Sequence, residues 1–297
     1  MACVVDIRHV SKYFAKVAAN KDVSLTVDAG QVVALLGENG AGKSTLMNIL
    51  GGVLQADAGT IELDGQPVQF HTPHQSLEAG IAFIHQELNL INDLPVYENM
   101  FIGRELKKKS GLLDHKEMNR QTQQLFDEMG LDISPRAMVS SLDASYKQIV
   151  EISRALMMKA SLIIMDEPTT SLTDPEIERV FDMLRTLKAQ QVGVVFISHK
   201  LREVMEICDR YTVLRDGVVV ADGRVEDTTI SQLACDMVGH AVKTESIRRD
   251  AARGAEVLRL ENLTLEPYYR GVNLSVHAGE VVGVTGLLGD GRSELFR

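Results

Sequence analysis

No apolar run in this 297-residue chain is long enough to cross a bilayer: stretches such as residues 192–197 and 162–165 fall far short of a membrane helix of about 20 residues. Basic residues are also scarce. The chain has 31 Lys and Arg against 41 Asp and Glu, a formal net charge of −10, which argues against a protein that tracks a nucleic-acid backbone with a basic face. The one short basic run, Lys107-Lys108-Lys109, reads as a solvated loop. Cysteine is rare as well: Cys3, Cys208 and Cys235 are scattered and give neither a metal spacing nor a disulfide framework, so a reducing cytoplasm is the expected compartment. Residues 1–10 carry Asp6 and Arg8 and lack the basic start and apolar stretch of a secretory signal.

Glycine, by contrast, is concentrated where it matters. The octapeptide Gly37-Glu38-Asn39-Gly40-Ala41-Gly42-Lys43-Ser44 follows the apolar run 32–36 and leads through Thr45 into a helical stretch, the context that the G-x-x-x-x-G-K-[ST] phosphate loop requires. Glycines let successive N–H groups turn toward phosphate oxygens, and the helix N-terminus adds its dipole. Lys43 is expected to neutralise the β- and γ-phosphates, and Ser44 to offer a hydroxyl to Mg²⁺.

Strand-like segments at 4–7, 23–27, 32–36 and 60–63 surround this loop, with turn signals at Asp28-Ala29-Gly30 and Asp64-Gly65. The pattern becomes helical over about 96–159, as in 116–129 with Gly130 as a stop, then returns to apolar strands at 162–165 and 194–197 around a helical 176–190. A strand-turn-strand over 211–221 closes the unit. The fold class expected is therefore α/β: a mixed sheet core with an antiparallel N-terminal β subdomain and a helical insertion. The charged stretch 242–255 reads as a linker. Beyond it the beginning repeats: residues 23–33 align without a gap to 272–282, and Gly286-Leu287-Leu288-Gly289-Asp290-Gly291-Arg292-Ser293 stays in register with the first loop. The chain thus divides into a first domain at 1–241 and the start of a duplicated one at 256–297. A complete second copy would carry the chain to roughly 500 residues, so it reads as truncated.

The apolar strand 162–165 ends in Asp166-Glu167, at the sheet edge where ligands of open α/β folds bind. Asp166 suits a Mg²⁺ ligand acting through water, and Glu167 a base that polarises the water attacking the γ-phosphate. Gln86, just past another strand, could reach the metal or the attacking water. His199, after strand 194–197, could donate to the γ-phosphate. Phe14 or its neighbour Tyr13 could stack under adenine, the other reading of these rings being ordinary core packing.

The order of these motifs closely resembles the ATP-binding cassette ATPases over nearly the whole chain. Residues 37–44 resemble Walker A, Gln86 the Q-loop, 162–167 Walker B with its catalytic glutamate, Ser171-Leu172-Thr173-Asp174 the D-loop and His199 the switch histidine. The repeated loop ending Gly291-Arg292-Ser293-Glu294, and the wording His85-Gln86-Glu87-Leu88, resemble the tandem-cassette subunits of bacterial ribose, galactoside, xylose and arabinose importers. That resemblance implies an ATPase that couples Mg-ATP hydrolysis to monosaccharide uptake. It implies a peripheral subunit on the cytoplasmic face of the membrane, paired with a second cassette, permease subunits that meet residues 86–97, and a sugar-binding protein. Alternative readings are a soluble cassette ATPase of translation or DNA repair, and a non-catalytic ATP-binding regulator.

One motif departs from the pattern. The family's Leu-Ser-Gly-Gly-Gln signature becomes Leu142-Asp143-Ala144-Ser145-Tyr146, followed by Lys147. Since the resemblance places this stretch against a phosphate held by the partner cassette, Asp143 is expected to repel it, on a scale of about 4 kcal/mol for near-surface charges, with Lys147 as a possible compensating charge. The resemblance also pairs this signature with the loop carrying Arg292, so both altered motifs fall in one composite site and the intact Lys43 loop belongs to the other.

Overall fold

The computed structural model describes residues 3–85, 88–239, 254–285 and 290–297. They fall in two compact units, Met1–Val242 and Lys243–Arg297.

The first unit opens with two long strands, β1 (Cys3–Phe14) and β2 (Val17–Asp28), paired antiparallel. β3 (Val32–Leu36) follows, five apolar residues all buried. Its pleat divides them: Val32, Ala34 and Leu36 enter one core cluster, Val33 and Leu35 another. Burial on both faces is why β3 reads as an unbroken apolar run rather than an alternating one. Next come α1 (Lys43–Leu50), β4 (Ala58–Leu63), β5 (Gln66–Val68), α2 (Pro73–Glu78) and β6 (Ile81–Ile84). β4 and β5 complete a four-stranded antiparallel sheet in the order β2-β1-β4-β5.

A helical insertion follows, built from α3 (Val96–Met100), α4 (His115–Glu128) and α5 (Ala144–Met157). The chain then alternates through β7 (Leu162–Asp166), α6 (Asp174–Ala189), β8 (Gly193–Ile197), α7 (Leu201–Ile207), β9 (Arg210–Arg215), β10 (Val218–Arg224) and α8 (Ile230–Val238). α6 starts with a capping box in which the Glu176 carboxylate accepts the Thr173 backbone N–H at 2.8 Å, and Pro175 lies in its first turn. The larger sheet runs β10-β9-β3-β8-β7-β6, parallel except for the β9–β10 hairpin. One of its faces packs on α1 and the antiparallel sheet, the other on the remaining helices. Because β3, β8 and β7 are adjacent and parallel, the loops leaving their carboxyl ends emerge side by side. No described helix is long and apolar enough to cross a membrane.

The second unit holds an antiparallel pair, β11 (Glu256–Leu265) and β12 (Tyr269–His277), and a short α9 (Arg292–Leu295). Gly279 (φ 78°) and Gly291 (φ 78°) are left-handed, as are their sequence equivalents Gly30 (φ 71°) and Gly42 (φ 101°). Residues 286–289 of the repeated loop and 240–253 of the expected linker lie outside the described residues.

Candidate functional site

The loop between β3 and α1 is shaped by two glycines that no other residue can replace. A Cβ on Gly37 (φ 147°) would meet the Leu214 carbonyl; on Gly42 (φ 101°) it would meet the Ala19 carbonyl and stand 2.6 Å from Asn20 Nδ2. Gly42 is the N-cap of α1, whose first-turn amides therefore face the loop. Asn20, fully buried on β2, donates from Nδ2 to the Gly42 carbonyl at 3.2 Å. Lys43 Nζ donates to the Gly37 carbonyl at 2.6 Å and to Glu38 at 3.0 Å, so its ammonium lies within the curl of the loop. Burial lowers its pKa, against the opposing pull of Asp166 and Glu167.

Two cavities meet at this loop. One of about 660 Å³ is lined by Gly37, Glu38, Asn39, Lys43, Glu167, Ser198, His199 and Met237. The other, of about 280 Å³, is lined by Ala19, Asn39, Gly40, Gly42, Lys43, Ser44, Thr45, Asp166 and Glu167. Ala41, the remaining loop position, is buried and packs in the core under α1. Eleven loop and sheet-edge positions singled out in the sequence therefore line common cavities.

Glu167 begins the loop that leaves β7. It holds φ at 48°, a left-handed backbone that costs a non-glycine residue about 1–2 kcal/mol. Its amide donates to the Ile197 carbonyl at 2.9 Å, the last rung tying β7 to β8. His199 Nδ1 lies 3.0 Å from Glu167 Oε1, and Thr170 Oγ1 donates to Oε2 at 3.1 Å. Partial burial pushes the Glu167 pKa up, but the His199 and Thr170 hydrogen bonds and the charges of His199 and Lys43 outweigh it and leave the carboxyl below its usual range. Asp166 goes the other way: burial and the Glu167 charge raise it, against His85 and Lys43.

Other expected residues fare differently. Gln86 lies outside the described residues. The segment just after it is clamped to α5: Asn89 donates its amide to Glu151 Oε1 at 2.6 Å, and Arg154 Nη1 donates to the Asn89 carbonyl at 3.2 Å. Tyr13 and Phe14 are 45% and 47% exposed at the β1 end, which removes the core-packing reading of these rings; neither lines the two cavities. Asp143, expected from the sequence to face phosphate with Lys147 as a possible compensating charge, has other partners within this chain. Its carboxylate is the N-cap of α5, accepting the Tyr146 amide at 2.9 Å and the Ser145 hydroxyl at 2.8 Å. Arg179 of α6 pairs with its other oxygen at 2.8 Å and stacks over the Tyr146 ring at 5.0 Å. Lys147, the compensating charge expected from the sequence, instead donates to Asn92 Oδ1 at 3.1 Å.

Five contributors escaped the sequence reading, Ala19 and Ser198 of the cavity lining among them. Thr170 was detectable as a hydroxyl three residues past a carboxylate in a proline-containing turn. Asn20 lies outside the strand expected at 23–27 and left no such signal. Met237, from α8 near the end of the first unit, left no local signal.

Comparison with known proteins matches residues 20–170 to the ABC transporter family. The chain is 41% identical over 293 residues to a ribose import ATP-binding protein of Bacillus licheniformis, covering 99% of this chain and 59% of that protein. It is 42% identical over 294 residues to the ribose import ATP-binding protein of Geobacillus kaustophilus, covering 99% and 60%. The chain thus spans about three fifths of the length of these curated relatives. Among solved structures, the ADP conformation of an ATP-binding cassette from an ABC transporter superposes with a TM-score of 0.70 at 25% identity, covering 81% of this chain and all of that one.

Proposed function

We propose, from the premise that this chain belongs to the ABC transporter family, that its first unit binds and hydrolyses ATP to drive import of a monosaccharide through a membrane permease. The observation that carries the reading is the convergence of Lys43, Glu167 and His199 on one cavity of about 660 Å³, with Glu167 and His199 already 3.0 Å apart. Loop 37–44 and the α1 N-terminus hold the triphosphate through backbone amides, and Lys43 exchanges its carbonyl partners for phosphate oxygens. The ring of Phe14, exposed at the β1 end, is available to stack on adenine.

Mg²⁺ suits the donors that line the smaller cavity, the Ser44 hydroxyl and the Asp166 carboxylate, which are hard oxygens of the kind this ion takes alongside water and phosphate. Gln86 is assigned to the same ligand set. When bound, the ion neutralises charge on the β- and γ-phosphates. Glu167 accepts the proton of the water that attacks the γ-phosphorus, and its lowered pKa keeps it the carboxylate this task needs at neutral pH. His199 orients Glu167 through Nδ1; donating to the γ-phosphate through its other ring nitrogen at the same moment requires the imidazolium form.

The names of the similar proteins, ribose import ATP-binding proteins, support a sugar as cargo. The proposed partners are permease subunits, an external sugar-binding protein and a second cassette that completes the ATP sandwich, with the protein peripheral on the cytoplasmic face. The clamp of Asn89 by Glu151 and Arg154 couples the segment expected to face the permease to the helix that starts at the signature. Glu167→Gln tests the assignment: hydrolysis is expected to fall about 10² to 10⁴-fold, as for loss of a general base, while ATP binding is retained. Near-parental turnover in that variant would overturn the assignment of Glu167.

A further inference from the structure

Beyond the last backbone rung between β7 and β8, the Glu167 amide on the Ile197 carbonyl at 2.9 Å, the two strands have no ladder left to keep their loops together. Yet the Glu167–His199 contact, formed by those loops, is held at 3.0 Å with Glu167 in a left-handed backbone conformation. Directly behind this pair is a closed polar ring. Thr169 Oγ1 donates to Glu203 Oε2 at 2.5 Å. Lys200 Nζ pairs with Glu203 Oε1 at 3.1 Å and donates to the Thr169 carbonyl at 2.7 Å. Thr169 and Glu203 are 1% and 7% exposed, so neither can exchange its partner for water.

Both carboxylate oxygens of Glu203 are thereby used, one by each loop. Thr169 follows Glu167 by two residues and Lys200 follows His199 by one, while Glu203 belongs to the first turn of α7, its amide donating to the Lys200 carbonyl at 3.0 Å. We propose that Thr169, Lys200 and Glu203 act as a positioning ring that fixes the distance between Glu167 and His199. The proposal rests on the hydrolytic reading given above. None of the three lines the two cavities around the phosphate loop, so they act through the pair in front of them rather than on the nucleotide. A displacement of about 1 Å in such a pair is worth up to about 10²-fold in rate.

The test uses the full chain and separates the Thr169 hydroxyl from the Thr169 shape. Thr169→Val keeps the volume and removes the donor; Thr169→Ser keeps the donor and removes a methyl. Thr169→Val is expected to lower kcat about 10 to 100-fold with KM and ATP affinity within twofold, and Thr169→Ser to stay within twofold in all three. Glu203→Gln, which turns an amide N–H₂ toward either Thr169 or Lys200, is expected to follow Thr169→Val. Parental kcat in Thr169→Val, or equal damage in Thr169→Ser, overturns the proposal. If Glu167→Gln hydrolyses ATP like the parent, the assignment of Glu167 as the base fails instead. The ring is then judged by a crystal structure of Thr169→Val, where an Nδ1–Oε1 separation beyond hydrogen-bond reach sustains it and an unchanged 3.0 Å refutes it.

Discussion

Asp143 departs from the family's signature and caps a helix, and its substitution gives the sharpest test. The carboxylate satisfies the Tyr146 amide at the start of α5, a helix of 14 residues whose Glu151 and Arg154 clamp Asn89. Replacing Asp143 by Ala removes the cap oxygen, a loss of about 1 kcal/mol within a range of 0.5–2. In a unit of this size that lowers the melting temperature by about 2–4 °C. Asp143→Ser keeps an oxygen for the Tyr146 amide and gives up only the Arg179 pair. Both partners of that pair are substantially exposed, 40% and 39% by side chain, where ion pairs contribute little. The serine variant is therefore expected to melt within about 1 °C of the parent. Thermal unfolding followed by circular dichroism on parent, Ala and Ser variants reads the difference. If Asp143→Ala melts like the parent, the cap is not a stability determinant; if Ser is as damaging as Ala, the charge pairing with Arg179 dominates and the reasoning fails.

Asp166→Asn is expected to raise the melting temperature at pH 7 in nucleotide-free protein with EDTA. Asp166 titrates above its unfolded value because of burial and the Glu167 charge, so its ionisation opposes folding at neutral pH and the penalty fades as pH falls into the carboxylate range. A gain that does not shrink toward pH 4, or a loss, would count against that sign. Phe14→Ala is expected to weaken ATP by about 1–3 kcal/mol, roughly 5 to 150-fold, while leaving tripolyphosphate binding and stability unchanged because the ring is 47% exposed; an unaltered ATP dissociation constant would remove Phe14 from the site.

What could be read from the sequence was local. The phosphate loop, the apolar strands ending at Asp166 and Ile197, and the helix stopping before Gly130 each depend on residues a few positions apart. The lengths of β1 and β2 were not readable: segments expected at 4–7 and 23–27 extend to Cys3–Phe14 and Val17–Asp28. His9 (φ 54°) and Asp22 (φ 57°) sit where the register shifts, and such bulges break the two-residue alternation by which strands are recognised. The partnerships around the site were equally hidden. Arg179 meets Asp143 across 36 positions, and Thr169 meets Glu203 across 34. Both are set by how α6 and α7 pack beside the sheet, which no spacing rule encodes.

The same packing explains how two adjacent carboxylates acquire different chemistry. Asp166 ends β7 in the extended conformation of the strand and lies in the smaller cavity with Ser44, where burial raises its pKa. One residue later the backbone turns left-handed, and Glu167 reaches His199 and Thr170, whose hydrogen bonds hold it ionised. A continued strand would alternate the two side chains by pleat alone; the φ of 48° instead directs the second carboxylate to the loop after β8. Groups pushed apart in this way suit separate tasks, a metal ligand and a base. The division therefore depends on the bend at Glu167 being held, and the Thr169–Lys200–Glu203 ring is the set of contacts placed to hold it.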